Sequence, residues 1–303
     1  MTSTELTLGP VYYLWDGPKW RDFYFRIADE APVSRVIVGE TVCSKRQHLV
    51  DPYMDAVTER LEAAGKEVVV STYALVTLMR ETKKLRALAA NGDRLVEVND
   101  LSAFMYLDSR PHTVGPLVNV YNAATARLLK TRGATTLCLP PELPMSSITA
   151  IAVGDPGVEL EIFAFGRVPL AISARCAHAR SKNKIKDNCQ FVCAEDPDGL
   201  DVRTLDRQPF LSLNGVQTMS HTCQALLGEL DALRSAGVSR FRLSPQNCDM
   251  VAVAEVYRAV LDGSLDVETG KARLTAIYPD VPLSNGFLYG KEGAAFVEHA
   301  ADS

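Results

Sequence analysis

The residues best able to do chemistry together are cysteines. Cys176, Cys189 and Cys193 follow the spacing Cys176-x12-Cys189-x3-Cys193. Two thiolates at the shorter spacing can turn toward one ion or cluster, and a third can reach them from a flexible loop. Cys43, far upstream, follows the apolar run Arg35–Gly39 and is a fourth candidate. Four meeting thiolates suit a [4Fe–4S] cluster or a structural Zn²⁺. Arg175, Arg180, Lys182, Lys184 and Lys186 crowd the same segment, and nearby cations tune an anionic cluster. The plainer alternative is unrelated cysteines beside a solvated basic loop. Spacing alone leaves all three open.

Elements able to position these thiols recur along the chain. Short, near-continuous apolar runs occur at Leu6–Trp15, Arg35–Gly39, Glu67–Ser71, Leu95–Val98, Leu117–Tyr121, Thr135–Leu139, Glu159–Phe165 and Arg240–Leu243. Such runs suit strands covered on both faces, as in a parallel sheet. Between them lie amphipathic stretches. One is set to start at Asp51-Pro52, with Met54, Val57, Leu61 and Ala64 on one face and Gly65 as its stop. Others cover about 76–90, Ala123 to Lys130, the Leu226/Leu230/Leu233 stripe and the Val253/Val256/Val260 stripe. Eight strands with helices between them predict a (β/α)8 TIM-like barrel. Phe210–Leu213 competes with Arg240–Leu243 for the eighth place.

Residues 166–220 break the alternation and are too long for an ordinary βα loop. They read as an inserted, cysteine-bearing, site-forming loop on the C-terminal face of the strands, where barrel enzymes place their chemistry. Cys43 would lie on that same rim. The 11 residues from Phe165 to Cys176 reach up to ~36 Å when extended, enough to cross the barrel mouth. Glu40 and Arg46, each three residues from Cys43, either face the mouth or cap the loop. Glu142 is similarly placed, or is a helix-initiating carboxylate. His178 reads as a surface histidine, or as a donor to a cluster sulfur or substrate. Cys138, within Leu137-Cys138-Leu139, reads as core. Cys223 and Cys248 read as structural residues near helix starts. The tail, about 290–303, reads as a short surface helix or a frayed end.

Composition excludes several classes. With 303 residues, 32 Lys+Arg against 37 Asp+Glu, a net charge of −5 and 47% hydrophobic residues, the chain can bury a core. No stretch reaches the ~18 apolar residues of a membrane helix, and Met1 to Pro10 carries no secretory pattern. A cytoplasmic location with reduced thiols is therefore expected. The acidic balance argues against stable nucleic-acid binding. No P-loop, dinucleotide fingerprint, zincin or nucleophile-elbow motif is present, and no C-x-x-C.

A resemblance adds to this reading. It is carried in order by Leu8-Gly9-Pro10, Gly39-Glu40-Thr41-Val42-Cys43-Ser44-Lys45-Arg46, Ser71-Thr72-Tyr73-Ala74-Leu75-Val76, Tyr121-Asn122-Ala123 and Pro141-Glu142-Leu143. It continues through Ser173-Ala174-Arg175-Cys176, Leu213-Asn214-Gly215-Val216-Gln217-Thr218-Met219-Ser220 and Arg242-Leu243-Ser244-Pro245-Gln246. At these residues the chain resembles the U32 peptidase-like family, in particular its ubiquinone-biosynthesis branch. The resemblance implies one barrel domain over 1–303, with 166–220 as the Fe–S-binding segment. It implies a [4Fe–4S] cluster on Cys43, Cys176, Cys189 and Cys193, and it assigns no catalytic residue. It implies O₂-independent hydroxylation of a prenylated quinone precursor, as a heterodimer with a UbiU-like homologue and with a UbiT-like lipid carrier. Related members hydroxylate RNA and are thought to take the oxygen from prephenate, an anionic donor that the basic residues around Cys176 would suit. An RNA hydroxylase and a non-catalytic zinc-stabilised scaffold are the alternatives. Some U32 members carry a Glu-Gly-Arg stretch where this chain has Phe241-Arg242-Leu243-Ser244-Pro245, which argues against peptidase activity. No flavin fingerprint or diiron-type Glu-x-x-His pair is visible.

Overall fold

The computed structural model describes residues 4–298. Its strands, in chain order, are β1 (Glu5–Leu8), β2 (Arg35–Val38), β3 (Glu67–Ser71), β4 (Leu95–Val98), β5 (His112–Val114) and β6 (Ala134–Leu139). They continue with β7 (Glu159–Ile172), β8 (Leu200–Arg203), β9 (Pro209–Asn214), β10 (Gln217–Ala225), β11 (Arg240–Leu243) and β12 (Leu283–Ser284). The helices are α1 (Gly17–Glu30), α2 (Gln47–Val50), α3 (Met54–Ala63), α4 (Met79–Ala90), α5 (Phe104–Leu107) and α6 (Ala123–Thr131). After them come α7 (Met145–Val153), α8 (Ala177–Ser181), α9 (Leu230–Ser235), α10 (Met250–Leu261) and α11 (Val267–Ile277).

Strands β1 to β7 pair in parallel with their sequence neighbours, and β11 pairs in parallel with both β7 and β1. The ring is a closed (β/α)8 barrel with Arg240–Leu243 as its eighth stave. Phe210–Leu213 belongs instead to β9, outside the ring. The first stave ends at Leu8, and Val11 to Trp15 form a buried turn segment. The fifth stave is His112–Val114, not Leu117–Tyr121. Gly115 and Pro116 explain the shift. Pro116 has no N–H for a ladder, so the run after it leaves the wall although Val118 and Val120 stay buried.

Two helical boundaries also moved. Asp51-Pro52 does not open a helix but forms a 3-10 turn joining α2 to α3. Val57 and Leu61 are buried as expected, whereas Ala64 caps the helix and is exposed. The aromatic stretch before β2 is the longest helix. Asp16 caps it by accepting from Lys19 N, Pro18 sits in its first turn, and Trp20, Tyr24, Ile27 and Ala28 form the buried face.

The barrel interior carries charge. Arg242, Glu97 and Glu161 are all buried, and the guanidinium bonds both carboxylates. From β2, Arg35 reaches Thr136 on β6 at 3.0 Å. Removing one partner of such a buried pair is strongly destabilising, because it leaves an uncompensated charge.

Residues 166–220 form more than a loop. Strand β7 leaves the barrel after Phe165 and runs on to Ile172, pairing antiparallel with β10, and β9 and β8 extend that sheet. The cysteine segment joins β7 to β8. Residues 290–298 are irregular rather than helical, and the rest of the tail lies outside the described residues. Among the described residues no helix is long and apolar enough to cross a membrane.

Candidate metal centre

Cys43, Cys176, Cys189 and Cys193 line one small cavity, together with Lys45, Arg46, Ala179, Lys186, Phe191, Val192 and Gly215. Ala179, Phe191 and Val192 supply its apolar lining, and Cys43 and Cys189 are only partly buried. Cys43 follows β2 on a turn fixed by Glu40, whose Oε1 accepts from the N–H groups of Val42 and Cys43, both at 2.8 Å. Glu40 is therefore a loop cap. Cys176 is the N-cap of α8, and its Sγ accepts from Ala179 N at 3.3 Å. Between Cys189 and Cys193 the chain turns sharply, with Gln190 and Phe191 at φ +50° and +54°. Two successive non-glycine residues in this conformation store strain, a recurrent feature of functional segments. Cys193 lies in the 3-10 turn Val192–Glu195.

Arg46 organises the electrostatics. Its side chain is fully buried and donates to Tyr12 O at 2.8 Å and to Asn214 Oδ1 at 2.9 Å. Burial opposes the charge, but Cys193, Glu40 and Cys43 outweigh it and hold the guanidinium protonated. Gly215 sits against it at φ +63°, where an added Cβ would come within 2.6 Å of Nη2. Burial pushes the Cys176 thiol up, against the pull of the Ala179 N–H and Arg46. Burial likewise raises Cys43, opposed chiefly by Arg46. Lys45 Nζ donates to Lys186 O at 2.6 Å, tying the Cys43 loop to the cysteine segment.

Other candidate residues fall elsewhere. His178 is buried rather than on the surface. Its Nε2 lies 2.9 Å from Asp196 and its Nδ1 3.1 Å from Leu213 O, so it fastens α8 to β9 and to the turn before β8. The basic run is partly engaged. Lys182 pairs with Glu195 and Asp196, and Lys186 donates to Ala174 O. Glu142 is exposed and accepts from Tyr121, three residues before the first residue of α7. Cys138 is core in β6, and Cys248 precedes α10. Cys223 lies inside β10, not near a helix start.

Among the described residues, no group of three or more His, Cys, Asp or Glu side chains is placed to hold a metal ion. Four thiols beside a buried guanidinium are the kind of donor set that suits thiolate-bound iron or zinc. Sequence reasoning missed Tyr12 and Asn214 as holders of Arg46. The Asn214-Gly215 turn dipeptide is the signal that could have pointed there.

The sequence profile of peptidase family U32 matches residues 19–297. The chain belongs to that family. Solved structures similar to this U32 chain are distant. The spore coat polysaccharide biosynthesis protein spsE of Bacillus subtilis has 10% identity and TM-score 0.47, over 97% of this chain and 75% of that one. An uncharacterized B. cereus protein has 10% identity and TM-score 0.42, over 80% of this chain. The match spans 60% of the B. cereus protein's length. A phospho-2-dehydro-3-deoxyheptonate aldolase of Thermotoga maritima has 13% identity and TM-score 0.35, over 93% of this chain and 72% of that one.

Proposed function

We propose that this chain is the iron–sulfur subunit of an O₂-independent hydroxylase for ubiquinone precursors, similar to the ubiquinone biosynthesis protein UbiV. It would act with a UbiU-like homologue and receive its prenylated substrate from a UbiT-like carrier. The supporting observation is the shared cavity of Cys43, Cys176, Cys189 and Cys193 beside the buried Arg46. The four thiolates would hold a [4Fe–4S] cluster. When bound, such a cluster supplies one-electron transfer or a Lewis-acidic iron.

The chain's own residues prepare the place. Arg46 offsets negative charge from inside the protein. The Ala179 N–H donates to the Cys176 sulfur. Donors of this kind set the behaviour of thiolate-bound metals. Peptidase chemistry has little support at this site. His178, the histidine nearest the cysteines in sequence, is committed to Asp196 and Leu213 rather than to a thiol.

Anaerobic purification followed by iron, sulfide and zinc analysis tests the reading. About four irons and four sulfides per chain are expected, with a broad visible absorption that Cys176→Ala abolishes. Cys176→Ala should also block quinone formation only without oxygen. Zinc alone, or equal anaerobic ubiquinone levels in the variant and the parent protein, would sink it.

A further inference from the structure

The antiparallel extension of the barrel ends on a bare strand. In the insert β7 pairs with β10, β10 with β9 and β9 with β8, and among the described residues β8 pairs with no further strand. Such an edge presents unpaired N–H and C=O groups that can take another strand.

The residues along β8 decide which strand. Leu200, Asp201, Val202 and Arg203 alternate between the two faces of the sheet. Asp201 and Arg203 share one face and are exposed, whereas Leu200 and Val202 share the other and are partly buried. Among the described residues Asp201 has no ion-pair partner, and the Arg203 guanidinium donates to a backbone oxygen, Arg207 O, at 3.2 Å. On the inner side Val202 pairs with Leu211 and Arg203 with Pro209, which leaves Phe210 as a bulge in β9. The extra residue belongs to β9, so β8 itself runs on without a break.

Charges on an edge usually keep it single, because like charges opposite one another repel. The order acid, apolar, base removes that protection. Turned antiparallel about Val202, two copies of β8 set each Asp201 opposite the other copy's Arg203 and bring the two Val202 side chains together. Centring the pair on Asp201 or on Arg203 would set two carboxylates or two guanidinium groups face to face. Centring it between residues would set a charge against Val202, and a parallel pairing in register would oppose like to like throughout. The charges therefore allow the Val202 register alone. In that register the apolar row begun by Leu211 and Val202 continues into the second copy. Leu205, fully exposed in the turn after β8, adds apolar surface beside it.

We infer that β8 is a self-association edge, which takes the β8 of a second copy of this chain antiparallel about Val202, with two Asp201–Arg203 pairs across a two-fold axis. The inference goes beyond the proposed function and does not depend on it.

Sedimentation velocity of the full chain at low salt, from micromolar to submillimolar concentration, tests this. A weak, reversible dimer is expected, since a four-residue edge makes a small interface, and added salt should weaken it. Asp201→Arg and Arg203→Asp should each weaken it by about tenfold or more, because each turns two attractive pairs into two repulsive ones. Both side chains are exposed, so circular dichroism should not change. The double variant, Asp201→Arg with Arg203→Asp, should dimerise as the parent chain does. An equimolar mixture of the two single variants should form mixed dimers that neither forms alone. A chain that stays monomeric throughout overturns the inference. So does a dimer indifferent to the single reversals, a double variant that does not recover, or association only with a different chain.

Discussion

The two sides of the barrel mouth are built on opposite plans. The cysteine side is wired from within: Arg46, Glu40, Tyr12 and Asn214 are buried and bonded to one another or to the loops that carry the thiols. The β4–β5 side is a hollow of mixed lining, with Asp100, Asn119 and Arg132 among apolar side chains such as Leu101 and Met105 that stand in solvent. A fixed, charge-compensated frame suits a resident group, because it is organised before the group arrives. Hydrogen bonds from Asn99 to Ser71 and from Ser71 to Thr41 run between the two sides.

The contrast can be broken by substitution. Arg46→Met should have the largest effect, costing about 3 kcal/mol or more, because it leaves Asn214 Oδ1 without its donor and the buried Glu40 without the cation that offsets it. Urea unfolding measures that loss, and iron content should fall with it. Met105→Glu, at the other side, should move the same unfolding curve by no more than ~0.5 kcal/mol. Equal costs at the two positions would erase the distinction. Asn99→Ala sharpens it: losing bonds to Ser71 and Glu97 should cost about 1–3 kcal/mol. If these bonds couple the sides, Asn99→Ala should also shift the visible absorption of the iron-loaded protein. An unchanged spectrum would show that the two sides are independent.

The smallest effect is a pH slope on the β5 side. His112 is buried, its Nδ1 lies 2.8 Å from Arg110 O, and burial holds it below the ordinary histidine range. The unfolded chain takes up that proton near pH ~6.5, while the folded chain resists it. Stability should therefore be flat above that pH and fall as pH drops below it, toward the folded-state value. His112→Leu should flatten its part of the decline in unfolding curves taken from pH 5.5 to 7.5. An identical slope in the variant would assign it to other groups.

The barrel was legible because its staves are short apolar runs such as Val68-Val69-Val70, which read the same in isolation and in the fold. The fifth stave was not, because three residues beside Arg110-Pro111 are outweighed in pattern by the longer apolar run after Pro116. The insert strands were hidden for a different reason. β8 alternates partly buried and exposed residues, and its partners lie in the same insert. The cysteine set could be nominated from spacing, but its shared cavity depends on pairings between β7 and β10 that no local pattern encodes. His178 was misread because its partners, Asp196 and Leu213, lie 18 and 35 residues away.

Strand β7 has a consequence of its own. Its first half is a stave shared with β6 and β11, and its second half is the spine of the antiparallel extension. One unbroken backbone thus acts as a cantilever, rooted in the barrel and carrying Cys176 just beyond its free end. Relatives could lengthen, shorten or replace the outboard strands without reopening the ring.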